Sequence, residues 1–236
     1  MTGSAQPQAR DRVRAATLRG LFRVWERTGR RPVARLFLND LIAKTGNFEA
    51  TTWLGVPVWQ NVLDLWTSQE TISEVRPALL IETGTNRGGS ALFYANLMDL
   101  LGAGHVITVD VERLHQLDHP RIEFIQGSSV DPSVIERVRE VAAGVDGPVM
   151  VILDADHAED HVARELEAYA PLVTPGSYLL SQDGIIDQLM IFADGRPGPL
   201  GANREFLARH PEFEYDHERN TRFLASHHPV GWMRRR

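Results

Sequence analysis

Three short stretches of this 236-residue chain carry side chains able to do chemistry. The first, Glu82-Thr83-Gly84-Thr85-Asn86-Arg87-Gly88-Gly89-Ser90, sets an acid ahead of a glycine-rich turn. Gly84 permits a tight turn and close approach of the backbone to a ligand, and Gly88 and Gly89 do the same at the start of a helix. The helix N-terminus behind them leaves N–H donors free for a carboxylate or a phosphate. The other two stretches, Asp154-Ala155-Asp156-His157 and Gln182-Asp183, combine carboxylates with an imidazole and an amide. Two carboxylates plus an amide oxygen suit a hard divalent cation such as magnesium, which takes oxygen ligands and keeps several waters. A cation held there would bind a hydroxyl and lower its pKa, with His157 placed to take the proton.

The acids around the glycine turn narrow the ligand. A dinucleotide site reads G-x-G-x-x-G with an acid about 20 residues further on. Here the spacing is Gly84-x-x-x-Gly88, and an acid precedes the first glycine. Asp110, ending the second strand, suits both ribose hydroxyls of an adenosine, and Glu82 is expected to face an ammonium group. That combination points to S-adenosylmethionine, with Glu82, Gly84, Thr85, Asn86, Gly88, Ser90, Asp110, Ser128 and Asp154 as candidate contacts. A nicotinamide-dependent oxidoreductase is the rival from another enzyme class; a non-catalytic protein retaining the fold is the third reading. His157 and His161 with Asp154 would also allow zinc, but H-E-x-x-H is absent because Glu159 stands two residues after His157. His161 is expected to pack or pair on a helix surface, and His227 and His228 read as exposed loop residues without a role.

The elements that must position these residues alternate. Short apolar runs at 78–81, 106–109, 122–125, 149–153 and 177–180 read as buried strands. Helices are expected over 88–101, from the Asp131 cap and Pro132 to about 143, and over 158–170. This alternation implies βαβ units and a parallel sheet, with helices on both faces and ligands at the strands' carboxyl ends. Each strand ends in a polar residue, so Glu82, Asp110, Ser128, Asp154 and Asp183 fall along one edge. Neighbouring strand ends lie about 5 Å apart there, close enough for side chains to converge. At the end of the chain, a helix over 203–209 is followed by 212–215 and 222–225 as an antiparallel pair.

Upstream, residues 1–9 read as a disordered tail. Helices follow over about 10–28 and 33–44, separated at Pro32. Val13, Ala16, Leu18, Leu21, Phe22 and Trp25 lie near one face of the first. Such an arm would expose a substantial apolar patch, so a homo-oligomer is expected. In 51–61, Gly55 and Pro57 argue against regular structure, while Trp53 and Trp59 require burial or a ligand. A helix over 61–75 follows, with Val62, Leu63, Leu65, Trp66 and Ile72 at helical spacing. The organisation is therefore a tail and helical arm over 1–60 and a catalytic domain over 61–236.

Composition excludes several classes. Hydrophobic and charged fractions of 43% and 24% are ordinary for a folded globular chain. A net charge of −6 argues against nucleic acid as partner, and no window approaches the roughly 20 apolar residues of a bilayer span. With no cysteine, disulfides, thiolate zinc and cysteine nucleophiles are excluded, which fits a cytoplasmic location. Lys44 is the sole lysine, which removes most catalytic-lysine chemistry. The Arg-rich segment 10–35 superficially resembles a transit peptide, but no apolar core or small-residue cleavage site follows it.

With these residues in view, the chain resembles the cephalosporin hydroxylase family over roughly residues 50 to 236. The resemblance rests on ordered segments: Trp53-Leu54-Gly55-Val56-Pro57, Ile81-Glu82-Thr83-Gly84-Thr85 with Gly88-Gly89-Ser90, Leu153-Asp154-x-Asp156-His157, Thr174-Pro175-Gly176-Ser177-Tyr178, Gln182-Asp183-Gly184, and Glu205-Phe206-Leu207 with His210-Pro211-x-Phe213. The family includes the cephamycin-biosynthesis methyltransferase and rhamnosyl O-methyltransferases. The resemblance implies a class I methyltransferase (Rossmann-like) α/β fold, with a mostly parallel seven-stranded sheet between two layers of helices. It implies methyl transfer rather than hydroxylation, onto a small-molecule acceptor such as a glycosylated natural product. It also implies magnesium on Asp154, Gln182 and Asp183, with His157 as base; Asp156 is a further catalytic candidate beside it. One position departs: Gln182 stands where a family glutamate is common, which lowers the site's negative charge by one.

Overall fold

A computed structural model of the protein describes residues 9–45, 50–224 and 226–236. The elements run α1 (Ala9–Thr28), α2 (Arg30–Thr45), β1 (Thr52–Trp53), β2 (Val56–Pro57), α3 (Val62–Val75), β3 (Leu79–Thr83), α4 (Gly89–Leu101), β4 (His105–Asp110) and β5 (Ile122–Gln126). They continue with α5 (Pro132–Ala143), β6 (Val149–Leu153), α6 (Glu159–Tyr169), β7 (Tyr178–Ser181), α7 (Pro199–Arg209), β8 (Phe213–Tyr215), α8 (His217–Thr221) and β9 (Trp232–Arg235). Short 3-10 turns cover Gly184–Asp187 and Met190–Gly195.

Seven strands form one sheet in the order β5-β4-β3-β6-β7-β9-β8. Strands β3 to β7 are parallel, and β9 runs antiparallel between β7 and β8. Every residue of β3, β6 and β7 is buried, as strands covered on both faces must be. Alternate side chains feed two cores. Leu79, Ile81, Val151 and Leu153 pack with Val138 of α5, Leu166 of α6 and Phe206 of α7. Leu80, Met150, Ile152 and Leu180 pack with Ile72 of α3 and Tyr94 and Met98 of α4. Each such side chain contributes roughly 1.5–3 kcal/mol by leaving water.

The order of the strands fixes where a ligand goes. From β3 the chain moves outward to β4 and β5, then returns past β3 to β6 and β7. Beyond the carboxyl ends of β3 and β6, the connecting segments therefore depart in opposite directions and leave a crevice. Gly84 and Asp154 flank it so closely that a Cβ on Gly84 would run into the Asp154 carbonyl.

Several expected boundaries move. The break between the first two helices falls at Gly29 rather than Pro32, which sits in the first turn of α2, where its missing N–H costs nothing. Segment 51–61 is not irregular throughout. Leu54 (φ 50°) and Gly55 (φ 85°) both adopt the left-handed region, which permits a two-residue turn between β1 and β2. Of the apolar residues expected on α3, Leu65 and Ile72 are buried, whereas Val62 and Trp66 are exposed. The partner of β8 is β9, not 222–225. Asp216 caps α8, and Arg222 beyond it forms a two-pronged bond to Glu70 of α3, which commits that segment to a turn. The expected tail, apart from Ala9, and Ala225 lie outside the described residues.

Helices α1 and α2 carry the arm. Leu38 is buried and packs, with Ile42, against Ile185, Leu189 and Phe192, tying α2 to the turns after β7. Leu18, Leu21, Phe22 and Trp25 of α1, with Leu36 and Phe37 of α2, are exposed. Among the described residues no helix is long and apolar enough to cross a membrane.

Candidate active site

A cavity of about 720 Å³ opens at the crevice. Gly84, Thr85, Asn86, Ser90 and Asp110 line one end; Asp154, His157 and Asp183 line the other. Its remaining wall is apolar, from Ile42 of the arm, Trp59, Leu114, Ile185, Ile186 and Phe192. A second cavity of about 590 Å³ shares Gly84, Asp110 and His157 with the first, and Ser128, Ser129 and His161 line it too.

At the glycine end the turn is built by conformation and by hydrogen bonds. Gly84 (φ 87°), Asn86 (φ 45°) and Gly88 (φ 83°) all have positive φ, and Gly88 is the N-cap of α4. Asp110 accepts bonds from the Asn86 N–H (2.8 Å) and the Glu112 N–H (3.2 Å), which fix its carboxylate at the cavity wall. Glu82 does not line this cavity. It is fully buried in β3, where Thr108 donates to it at 2.5 Å and Thr85 bonds Thr108 at 2.7 Å. Burial drives its carboxyl up to about 8, against hydrogen bonds from Ser90 and Thr108. Glu82 thus acts on the cavity through Ser90 and Thr85 rather than by facing it.

At the other end one oxygen or nitrogen each from Asp154, His157 and Asp183 lies within 4.8 Å of the others. His157 Nε2 stands 3.3 Å from Asp154 Oδ1 and 3.7 Å from Asp183 Oδ2. Burial disfavours the imidazolium, but the bond to Asp154 and the charges of Asp183 and Asp154 outweigh it and raise His157 to about 9. Burial likewise raises Asp154, against its bond to His157. Gln60 donates to Asp154 Oδ2 at 3.2 Å, and the Tyr94 hydroxyl reaches Gln60 Oε1 at 3.5 Å. Neither Gln60 nor Tyr94 was marked by any sequence pattern, because both reach the site from elements far away in the chain.

Asp156 and Gln182 do not line the larger cavity. Asp156 turns away from the trio and accepts the Ala158 N–H at 2.8 Å ahead of α6. Gln182 is buried beside Tyr94. The zinc alternative loses its geometry. His157 precedes α6, and His161 Nε2 instead meets Ser129 at 3.0 Å and Glu165 at 3.7 Å. His227 and His228 are not exposed; both are 2% accessible.

The donor set fits a hard divalent cation. Two carboxylates converge beside an imidazole, and with Asp154 half-buried, a positive charge there would offset the cost of keeping it ionised. Asp154 and Asp183 would be the oxygen ligands.

The chain also matches known proteins in sequence and in fold. Residues 46–236 match the family described as Rhamnosyl O-methyltransferase/CmcI. The rhamnosyl O-methyltransferase of Mycobacterium tuberculosis is 34% identical over 191 residues, covering 78% of this chain and 77% of that one. The Mycobacterium leprae counterpart is 34% identical over 186 residues, covering 75% and 81%. A solved CmcI structure with Mg and SAM superposes with a TM-score of 0.65 at 21% identity, covering 84% of each chain, so the fold is shared. Fold, sequence match and relatives agree: the chain belongs to the rhamnosyl O-methyltransferase/CmcI family.

Proposed function

We propose that this protein is an S-adenosylmethionine-dependent O-methyltransferase, assisted by a divalent cation such as magnesium. Its acceptor is a hydroxyl of a small molecule, most simply a rhamnose-like deoxysugar of a natural product. The observation that carries this reading is one cavity lined at once by the glycine turn with Asp110 and by Asp154, His157 and Asp183. Donor and acceptor are thereby held side by side, and orientation is the larger part of what methyl transfer needs. Family membership supports methyl transfer over the nicotinamide and non-catalytic alternatives, and the relatives' names support a sugar acceptor. The apolar wall at Trp59, Leu114 and Phe192 suits a deoxysugar's methyl group and an apolar aglycone.

In this mechanism Asp110 takes the ribose hydroxyls, and the turn from Gly84 to Ser90 takes the methionine portion. Asp154 and Asp183 would hold the cation, which when bound supplies positive charge that lowers the acceptor hydroxyl's pKa. The same charge would depress His157 from its metal-free value of about 9 and free Nε2 to accept the proton. The hydroxyl oxygen forms its bond to the methyl carbon as the sulfur–carbon bond breaks, leaving S-adenosylhomocysteine. Asp156 contributes by shaping the turn that presents His157, and Ser128 by lining the adjoining cavity.

The arm over 1–60 and the transferase domain over 61–236 form the working division, with α2 roofing the cavity. The arm also supports a homo-oligomer. Residues 9–45 carry ten basic and three acidic side chains within a chain of net charge −6, so an arm is complementary to the acidic body of a second copy. A cytoplasmic setting accords with the absence of cysteine. Calorimetry with S-adenosylmethionine and S-adenosylhomocysteine tests the donor assignment: no heat at about 1 mM ligand would sink it. Mass spectrometry across a panel of glycosylated natural products then identifies the acceptor by the gain of one methyl group.

A further inference from the structure

The loop before β9 passes directly beneath the turn that carries Asp183. Asp183 has a left-handed backbone (φ 54°), uncommon for a residue with a side chain. Its N–H donates to His228 Nδ1 at 3.0 Å, and the same nitrogen lies 3.7 Å from its carboxylate. Around it, Ile185 N–H donates to the His227 carbonyl at 2.9 Å, and Ser181 N–H to the Gly231 carbonyl at 3.0 Å. The loop is itself held from behind by Asp64 of α3. Asp64 accepts from Ser226 Oγ at 2.6 Å and from the His227 N–H at 2.9 Å, while the His228 N–H donates to Ser226 Oγ at 3.0 Å. All four residues are buried.

Accepting the Asp183 N–H requires an unprotonated Nδ1, so the His228 ring proton sits on Nε2. That nitrogen lies 4.0 Å from Asp64 Oδ2 and has no hydrogen-bond partner. A buried imidazole used in this manner offers a rigid acceptor at a fixed angle. Gly184 and Gly231 record how tightly the two segments pack: a Cβ on either would strike the opposing backbone.

We propose that His228, braced by Asp64 through Ser226, is a positioning residue that fixes Asp183 in its left-handed conformation and so sets the geometry of the cation site. This inference rests on the cation reading given above. His228 lines neither cavity, and loss of such a buried partner lowers metal affinity about 10–100-fold in comparable sites. The test is manganese binding to the whole protein, followed by electron paramagnetic resonance, with S-adenosylmethionine binding measured in parallel. His228→Leu is expected to weaken manganese binding at least about tenfold with donor affinity unchanged. His228→Asn, whose Oδ1 takes the place of Nδ1, should restore most of it. Wild-type manganese affinity in folded His228→Leu overturns the proposal while leaving the cation site intact. Failure of the wild-type protein to bind manganese overturns the cation reading and this inference with it. If His228→Leu does not fold, Asp64→Asn gives the same test at constant volume, and an unchanged affinity there again overturns the proposal.

Discussion

Asp154 and Asp183 stand at the ends of adjacent strands and share His157 between them. Asp154→Asn keeps the volume but removes the deeper charge. Magnesium-dependent turnover should fall at least about hundredfold, with S-adenosylmethionine affinity nearly unchanged; equal turnover with and without chelator would remove the cation from the mechanism. His157→Gln should lower kcat by about 10²–10⁴, as loss of a general base does, and leave donor binding in place. The metal-free site has a pH signature as well. His157 rises from 6.5 to about 9 on folding, so its favourable contribution is complete below about pH 6.5 and is lost as pH rises through 9. Glu82 rises from 4.5 to about 8, so its protonated form also favours folding, and that contribution disappears as pH rises through 8. The melting temperature of chelated protein should therefore decline from about pH 4.5 to 9, and His157→Gln should flatten the upper part of that decline. A melting temperature constant across the range would refute both assignments.

At the scale of elements, the glycine turn couples β3 to β6 and to the β1–β2 hairpin. A Cβ at Gly84 meets the Asp154 carbonyl, and one at Gly89 meets the Pro57 carbonyl. Gly84→Ala adds a left-handed penalty of roughly 1–2 kcal/mol to that collision, so melting should fall by at least about 2–8 °C and donor binding should be lost. Retained calorimetric binding in Gly84→Ala would mean the cofactor lies elsewhere. The hairpin is seated on α4 by Trp53, which donates to Asn96 at 2.9 Å and meets the edge of Phe93 at 4.9 Å. Trp59, by contrast, faces the cavity from a left-handed backbone and is 41% exposed. The sequence announced that two tryptophans needed partners; which packs and which faces the ligand depended on a turn at Leu54-Gly55. Strands β3 to β7 were legible within one or two residues because continuous apolar runs bounded by polar residues have few other homes. The last antiparallel pair was not, because 222–225 and 232–235 both suit a strand. The ion pairs of Arg222 with Glu70 and of Arg219 with Glu74 decide between them.

At the scale of the molecule, the arm presents the fold's exposed apolar face, with Leu21 and Phe22 about 60% exposed on α1. If an arm seats on a second copy, Leu21→Glu with Phe22→Glu should convert an oligomer to a monomer in light scattering at micromolar concentration. A wild-type monomer would dispose of that idea. The sequence by itself determined the parallel core, the glycine turn, Asp110 as strand-end acid and the Asp154/His157/Asp183 trio, since strand periodicity alone places those residues on one edge. Tertiary structure alone decided that Glu82 lies under the cavity, that Asp156 caps the turn ahead of α6, and that Asp64 and His228 brace Asp183. The physical reason is common to all of them. Alternation along a strand fixes which edge and face a side chain belongs to, but burial and hydrogen-bond partners come from segments up to 163 residues away, and no local pattern encodes those meetings.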